Sequence, residues 1–453
     1  MTPNFRANST YTTPSYRFPF GHTMNREQTI KKLHEYRWYI FLILVCCYFF
    51  VYFHRMTVGI LGKDIVDDVG GTVGILSSVY FWTYTAMQIP SGLLADRLGP
   101  RKSSFIFMTI AAIGSLLTAF GTSFWMIVLG KMFIAAGMAI VYIPLMKIIS
   151  VWFGKKDFPQ LNGIVIAVGN VGAIAASAPL EILSNSIGGW RNVFLFLALV
   201  TFILALLALI VVRDHPHTIG LPGLEEVNGN GNTKDPSDGK LPTMQGLKLV
   251  FSSGRKYWNM ALAYFLVYGS IMVFQGTWAK YYFNNSYSFA LSVAWFITMI
   301  GIGKIISTVT IGILNGRGII KSKRRTMLYG TLCFLAIWGV LWVYAGKIDS
   351  YWFWFLVNFL FGFFGGFMTL SFTQVKEWYP ISIAGTAVSA TNVFLFLGSS
   401  ICTTLAAAVM GSTYLLSDFK TLWMIMFIAV AIAVVLIYFS VEKGPDDEII
   451  TIE

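Results

Sequence analysis

Long apolar runs alternate with short polar segments along the whole chain. Each run holds about twenty residues or more, the length an α-helix needs to cross a hydrocarbon core. The pattern predicts spans over 38–62, 72–95, 103–121, 124–152, 160–183 and 192–212. A second set follows over 257–282, 288–313, 326–346, 351–377, 385–410 and 419–441. Between the sets lies 213–256, polar and carrying Asn228-Gly229-Asn230-Gly231-Asn232, which reads as a flexible cytoplasmic linker. The chain therefore divides into a tail 1–37, a six-helix half 38–212, the linker 213–256, a six-helix half 257–441 and a tail 442–453. Arg26, Lys31, Lys32 and Arg37 precede the first run, which reads as an uncleaved span rather than a signal peptide. Met24 is an alternative start, and 1–23 reads as disordered tail.

The bases set the orientation. With both termini in the cytoplasm, inner segments carry Arg97, Arg101, Lys102, Lys155, Lys156, Arg213, Arg317, Lys321, Lys323, Arg324 and Arg325, besides both tails and the linker. Outer segments carry only Lys63, Arg191, Lys280, Lys347 and Lys420. That asymmetry predicts a multi-pass protein of the plasma (cell inner) membrane with both ends inside. It also explains the net charge of +12 without nucleic acid. At 56% hydrophobic and 12% charged residues, with mean hydropathy +0.67, the chain has too little charge for a soluble surface. Cys46, Cys47, Cys333 and Cys402 fall inside apolar runs and read as small core residues, without disulfide or metal spacing.

The segment Gly92-Leu93-Leu94-Ala95-Asp96-Arg97-Leu98-Gly99-Pro100-Arg101-Lys102 joins spans two and three. An acid, spaced glycines and three bases there exceed what a positive-inside loop requires. It resembles the loop between helices two and three of the major facilitator superfamily, G-x-x-x-D-R-x-G-x-R-K, with every position filled. Gly312-Ile313-Leu314-Asn315-Gly316-Arg317-Gly318, between spans eight and nine, is a degraded copy at the equivalent place. The resemblance implies an all-α membrane protein, with twelve transmembrane helices in two pseudo-symmetric six-helix bundles. Substrate would then bind between the halves, near the midplane.

Charge within the bilayer is costly, so each intramembrane ionisable group is a candidate for function. Arg55, Lys131, Lys147 and Lys304 are the bases, and Glu181 is the one deep acid. Four bases against one acid favour an anionic solute or a zwitterion with a carboxylate. Arg55 offers a planar fork for such a group, unless it snorkels to the outer interface. His54, about 100° round the helix, is either a proton site or an interhelical hydrogen-bonding residue. Lys131, in Gly130-Lys131-Met132-Phe133-Ile134-Ala135-Ala136-Gly137, resembles the superfamily's fourth-helix base, which implies coupling or structural pairing. Lys147 either lines the path or snorkels, and Lys304 sits deeper among small residues. Tyr84 and Gln88 share a face of span two, and Gln275 and Trp278 lie three apart on span seven. Asn170, Asn358, Gln374 and Asn392 complete the polar set; each alone suits an interhelical hydrogen bond, and together some should line the path. Asp96, Arg97, Arg101, Lys131, His54 and Glu181 are the candidates for coupling or gating.

Tyr52 to Ile60, Trp190-Arg191, Arg213-Asp214-His215-Pro216 and Gly220-Leu221-Pro222 resemble the organophosphate and sugar-phosphate permease branch. That resemblance implies two phosphate-binding arginines, a lysine and a histidine. Arg55 matches one arginine; the other three positions hold Met272, Gln88 and Gly169. A carboxylate solute, amino acids included, fits one arginine better than a phosphate dianion does. The expected function is secondary active transport by alternating access, proton-coupled or by exchange. The alternatives are sugar-phosphate antiport and a transporter-like membrane sensor. No G-x-x-x-x-G-K-[ST], HExxH or GxSxG stretch points to ATP drive, a cofactor or an enzyme. The expected partners are a small solute and lipid, with the chain a monomer.

Overall fold

The computed structural model describes residues 26–154, 157–223, 243–411 and 414–442. Met24, Lys155, Lys156, the Asn228–Asn232 repeat and the carboxyl-terminal tail from 443 lie outside the described residues. Among the described residues, eleven helices are long and apolar enough to cross a membrane. One of them, Val73–Phe120, carries non-helical backbone at Gly99 (φ 76°, ψ 164°) and so holds spans two and three. Twelve crossings result. Span one is Arg26–Val69, and span four is Phe124–Ala139 continued by Tyr142–Trp152. Span five is Phe158–Ala175 with Ala178–Ser186, and span six is Trp190–Val211. Span seven runs from Arg255–Val273 through a π turn, Phe274–Trp278, into Ala279–Ser286. Spans eight and nine are Ala294–Gly316 and Lys323–Val343. Span ten is Tyr351–Gly365 with Leu370–Trp378, span eleven Ile381–Met410 and span twelve Leu416–Tyr438.

Polar residues start several of these helices. Thr72, Ser123, Ser322 and Ser350 each accept a hydrogen bond from a backbone N–H of the first turn, satisfying a donor the helix leaves open. Spans four and ten, the fourth of each half, are both interrupted mid-membrane, at Ile140–Val141 and at Gly366–Thr369. Leu199, Ile210, Ile432 and Val435 are exposed, as expected of side chains facing lipid. Trp125 and Trp352, each second in its helix, are also exposed, at the level where aromatic rings meet headgroups.

In the first half, spans two and three pack on four and six, and span one on five. In the second, eight packs on ten, nine on twelve, and seven on eleven and twelve. Two against eleven, five against eight, and one against seven make the seam between the halves. Spans eight and ten approach so closely that a Cβ on Gly362 would collide with the carbonyl of Ile300. A Cβ on Gly92 meets open space. Gly362→Leu is therefore expected to abolish the monodisperse peak in detergent chromatography, while Gly92→Leu keeps it. Equal yields of the two would show that this crossing relaxes freely.

Three expectations change. The first helix begins at Arg26 rather than at 38: Leu33 is buried and Tyr36 donates to the Val211 carbonyl (2.7 Å), so the last third of the tail is packed. The linker is folded at its described ends. A 3₁₀ turn covers Pro216–Ile219, and the helix Thr243–Ser252 packs Leu247, Leu249 and Val250 onto the core. Its apolar spacing overrides the polar composition around it. Of the cysteines, Cys47 and Cys402 are core, but Cys333 is exposed on span nine.

Candidate functional site

Span one presents two faces. Tyr52 and Arg55 lie on the face turned to the seam; His54 and Thr57 lie on the face turned into the first half. Arg55 is 3% exposed. Its guanidinium carbon lies over the rings of Tyr52 (4.6 Å), Phe396 (4.9 Å) and Tyr84 (5.1 Å). Its Nη1 donates to the Tyr268 hydroxyl at 3.4 Å, and its Nε has no partner among the described residues. Tyr268 belongs to span seven, so Arg55 reaches across the seam. From span eight, Lys304 places Nζ 5.2 Å from the centre of the same Tyr268 ring. Arg55, Lys131 and Lys304 make no ion pair among the described residues.

Lys131 belongs elsewhere. It is fully buried within the first half, donates to Thr57 Oγ1 at 2.9 Å and lies 4.3 Å above the Phe194 ring. His54 Nε2 is 3.4 Å from Thr201 Oγ1 in the same interior. Lys131 is thus held by a hydroxyl and a ring inside the first half, apart from the contacts of Arg55.

Polar contacts stitch the seam. Gln88 accepts from Asn392 Nδ2 (3.3 Å), Thr85 meets Ser400 (2.9 Å) and Trp82 Nε1 donates to Thr404 (2.9 Å), all between spans two and eleven. The rings of Tyr84 and Phe396 meet at 4.4 Å, tilted by 40°. Ser77 meets Thr277 at 2.6 Å and Ser177 meets Thr298 at 2.8 Å. Glu181 of span five forms an ion pair with Lys280 of span seven (2.5 Å) and accepts from Ser292. Lys280 also donates to the Ile60 carbonyl (3.1 Å), and Tyr281 to that of Val58 (3.1 Å). Gln275 and Asn170 are buried. Trp278 sits apart, in an aromatic cluster with Tyr281, Tyr414 and Phe419. The amide of Asn358 donates within its own helix to Trp354, and that of Gln374 to Val441; the interhelical bond expected for Asn358 is not made.

The Gly92–Lys102 segment forms a tight corner rather than a loop. Positive φ at Gly99 turns the chain, and a Cβ there would press on the carboxylate of Asp214 at 2.7 Å. Asp214 accepts from the Arg101 backbone N–H (2.8 Å), and Arg101 Nε donates to the Leu209 carbonyl (2.7 Å), tying the corner to the end of span six. Asp96 pairs with Lys147 at 3.3 Å. Lys147 is therefore bound to the corner, which neither of its expected roles included. Arg97 and Lys102 are exposed.

The family model of the Major Facilitator Superfamily matches residues 44–348 and 260–452. The chain belongs to that superfamily. This facilitator is 22% identical over 319 residues to a probable sulfoacetate transporter, SauU, of Cupriavidus necator, covering 70% of this chain and 72% of the relative. It is 22% identical over 393 residues to a probable hexose phosphate transport protein of Chlamydia trachomatis, covering 82% and 85%. Its fold matches a bacterial homolog to human lysosomal transporter Spinster, solved inward-facing and unoccupied, at TM-score 0.65 and 16% identity, over 90% of this chain and 99% of that one. Family and fold make the protein a membrane transporter rather than an enzyme. It resembles the organophosphate and sugar-phosphate branch of that superfamily.

The facilitator's aromatic cage escaped the reading of its charges. Tyr80, Tyr264, Tyr268 and Phe396 were not among the expected site residues, yet Tyr268 links both seam cations. A signal exists. Tyr48 and Tyr52, Tyr80 and Tyr84, and Tyr264 and Tyr268 are three tyrosine pairs at i, i+4, on spans one, two and seven.

Proposed function

We propose that this transporter carries a small organic anion by alternating access, with Arg55 as the anchor for its acidic group. The carrying observation is an arginine at the seam that lacks an acidic partner and keeps one buried N–H unsatisfied. Such a charge is costly to bury, and an anionic cargo offsets that cost. The names of the relatives, for sulfoacetate and hexose phosphate, favour an anion over an amino acid. Phosphate is the weaker fit, since only one of the branch's four groups is present. Gln88, Asn392, Asn170 and Gln275 would supply polar lining, and Trp278 part of the outer wall.

On the charge-based orientation, with both termini in the cytoplasm, Glu181, Lys280, Tyr281 and Thr298 close the outer end of the seam. The described state is then the one sealed to the outside. Asp96, Arg97, Arg101 and Lys147 would form the inner corner that moves with the first half. The reading is tested by heating the purified protein with a library of organic acids, sugar phosphates and amino acids, since ligands of the folded state raise Tm. Organic acids should give the hits, and proteoliposomes should accumulate the same compounds. A proton gradient or a preloaded solute then distinguishes symport from exchange. A library response confined to uncharged solutes or amino acids overturns the reading.

A further inference from the structure

The two seam cations are held in one arrangement. Arg55, from the first half, donates to the hydroxyl of Tyr268; Lys304, from the second, lies over that tyrosine's ring. Around them stand Tyr52, Tyr84 and Phe396, with Tyr80 buried beside Tyr84. These are rings and hydroxyls, and no carboxylate pairs with either base among the described residues. Lys131, the third buried base, is already held by Thr57 and Phe194 inside the first half. The seam therefore offers two uncompensated positive charges.

We infer that the cargo carries two acidic groups on a short spacer, one seated on Arg55 and the other on Lys304, with Tyr268 between them. This rests on the anion reading above and narrows it. A monoacid satisfies one cation and leaves the other desolvated without a partner, which costs more than the pair gains. A single tetrahedral anion held by the Arg55 fork alone has the same defect. A diacid satisfies both. Its ends also bind opposite halves, so it interacts differently with the closed and open seam, as a ligand must to shift that equilibrium. Arg55 Nε, buried and without an acceptor, is a donor left for the first acidic group.

The test uses the full-length purified protein and two matched series: propionate, butyrate and valerate against malonate, succinate and glutarate. At least one diacid should shift Tm at concentrations tenfold or more below its matched monoacid, and the best spacer reports the separation of the charges. Lys304→Gln should erase the diacid advantage and leave the monoacid response in place; Lys304→Arg should retain it. Arg55→Gln should remove both responses. Equal potency of the matched acids in the wild type, which requires no variant to fold, overturns the inference. So does a Lys304→Gln protein that weakens both series alike. If neither series has any effect while other anions bind, the two-acid inference fails and the anion reading stands; if no anion of any kind binds, both fail.

Discussion

Arg55→Gln is expected to abolish solute uptake while the protein stays folded. Truncating one member of a buried charge pair costs about 2–5 kcal/mol of binding, or roughly thirty- to several-thousand-fold in Kd. The apo protein loses no ion pair, because Arg55 makes none among the described residues. Removing a desolvated charge held by aromatic rings and tyrosine hydroxyls rather than by a carboxylate is expected to leave Tm unchanged or slightly raised. Arg55→Lys should recover little, since an ammonium offers neither the fork nor the flat face that lies over Tyr52, Tyr84 and Phe396. Uptake into proteoliposomes and thermal unfolding of the same preparation separate the outcomes. Normal uptake by the glutamine variant would remove Arg55 from the binding site. Loss of the folded peak would make the cage a structural device instead.

The sequence disclosed those features that membrane physics makes local. A run of apolar residues must become a helix in lipid, because nothing else there can satisfy the backbone. Positive φ at Gly99 and the bond from Arg101 to Asp214 explain why the Gly92–Lys102 stretch stands out so clearly: it is a corner with fixed geometry. Features made by partners distant in sequence were harder to see. The span that carries Lys147 holds no Asp or Glu, and its partner Asp96 lies in another segment. Tyr268 read as one apolar position among many until the fold set it between Arg55 and Lys304. The helix over Thr243–Ser252 was hidden by averaging its apolar residues with the polar ones before them.

Breaking the Glu181–Lys280 pair should open the outer end of the seam. The two side chains are only 20% and 13% exposed, and they meet at 2.5 Å across the halves. Glu181 also accepts from Ser292, and Lys280 also donates to Ile60, so spans one, five and seven and the approach to span eight are tied at one point. An exposed pair contributes about 0.2–1 kcal/mol; this one is shielded and shared, and about 1–2 kcal/mol is expected, a five- to thirtyfold change in population. Spin labels at Asn185 and Ser288, one on each half, would read the change as a longer distance in Glu181→Gln and in Lys280→Met. The Lys63–Asp67 pair is the control: its side chains are 48% and 59% exposed and lie four residues apart on one helix, so Lys63→Gln has no seam to release. Exchanging the charges, Glu181→Lys with Lys280→Glu, should restore the short distance, because the attraction survives reversal. If the single variants keep the wild-type distance, the hydroxyl contacts Ser77–Thr277 and Ser177–Thr298 hold the outer seam without the ion pair.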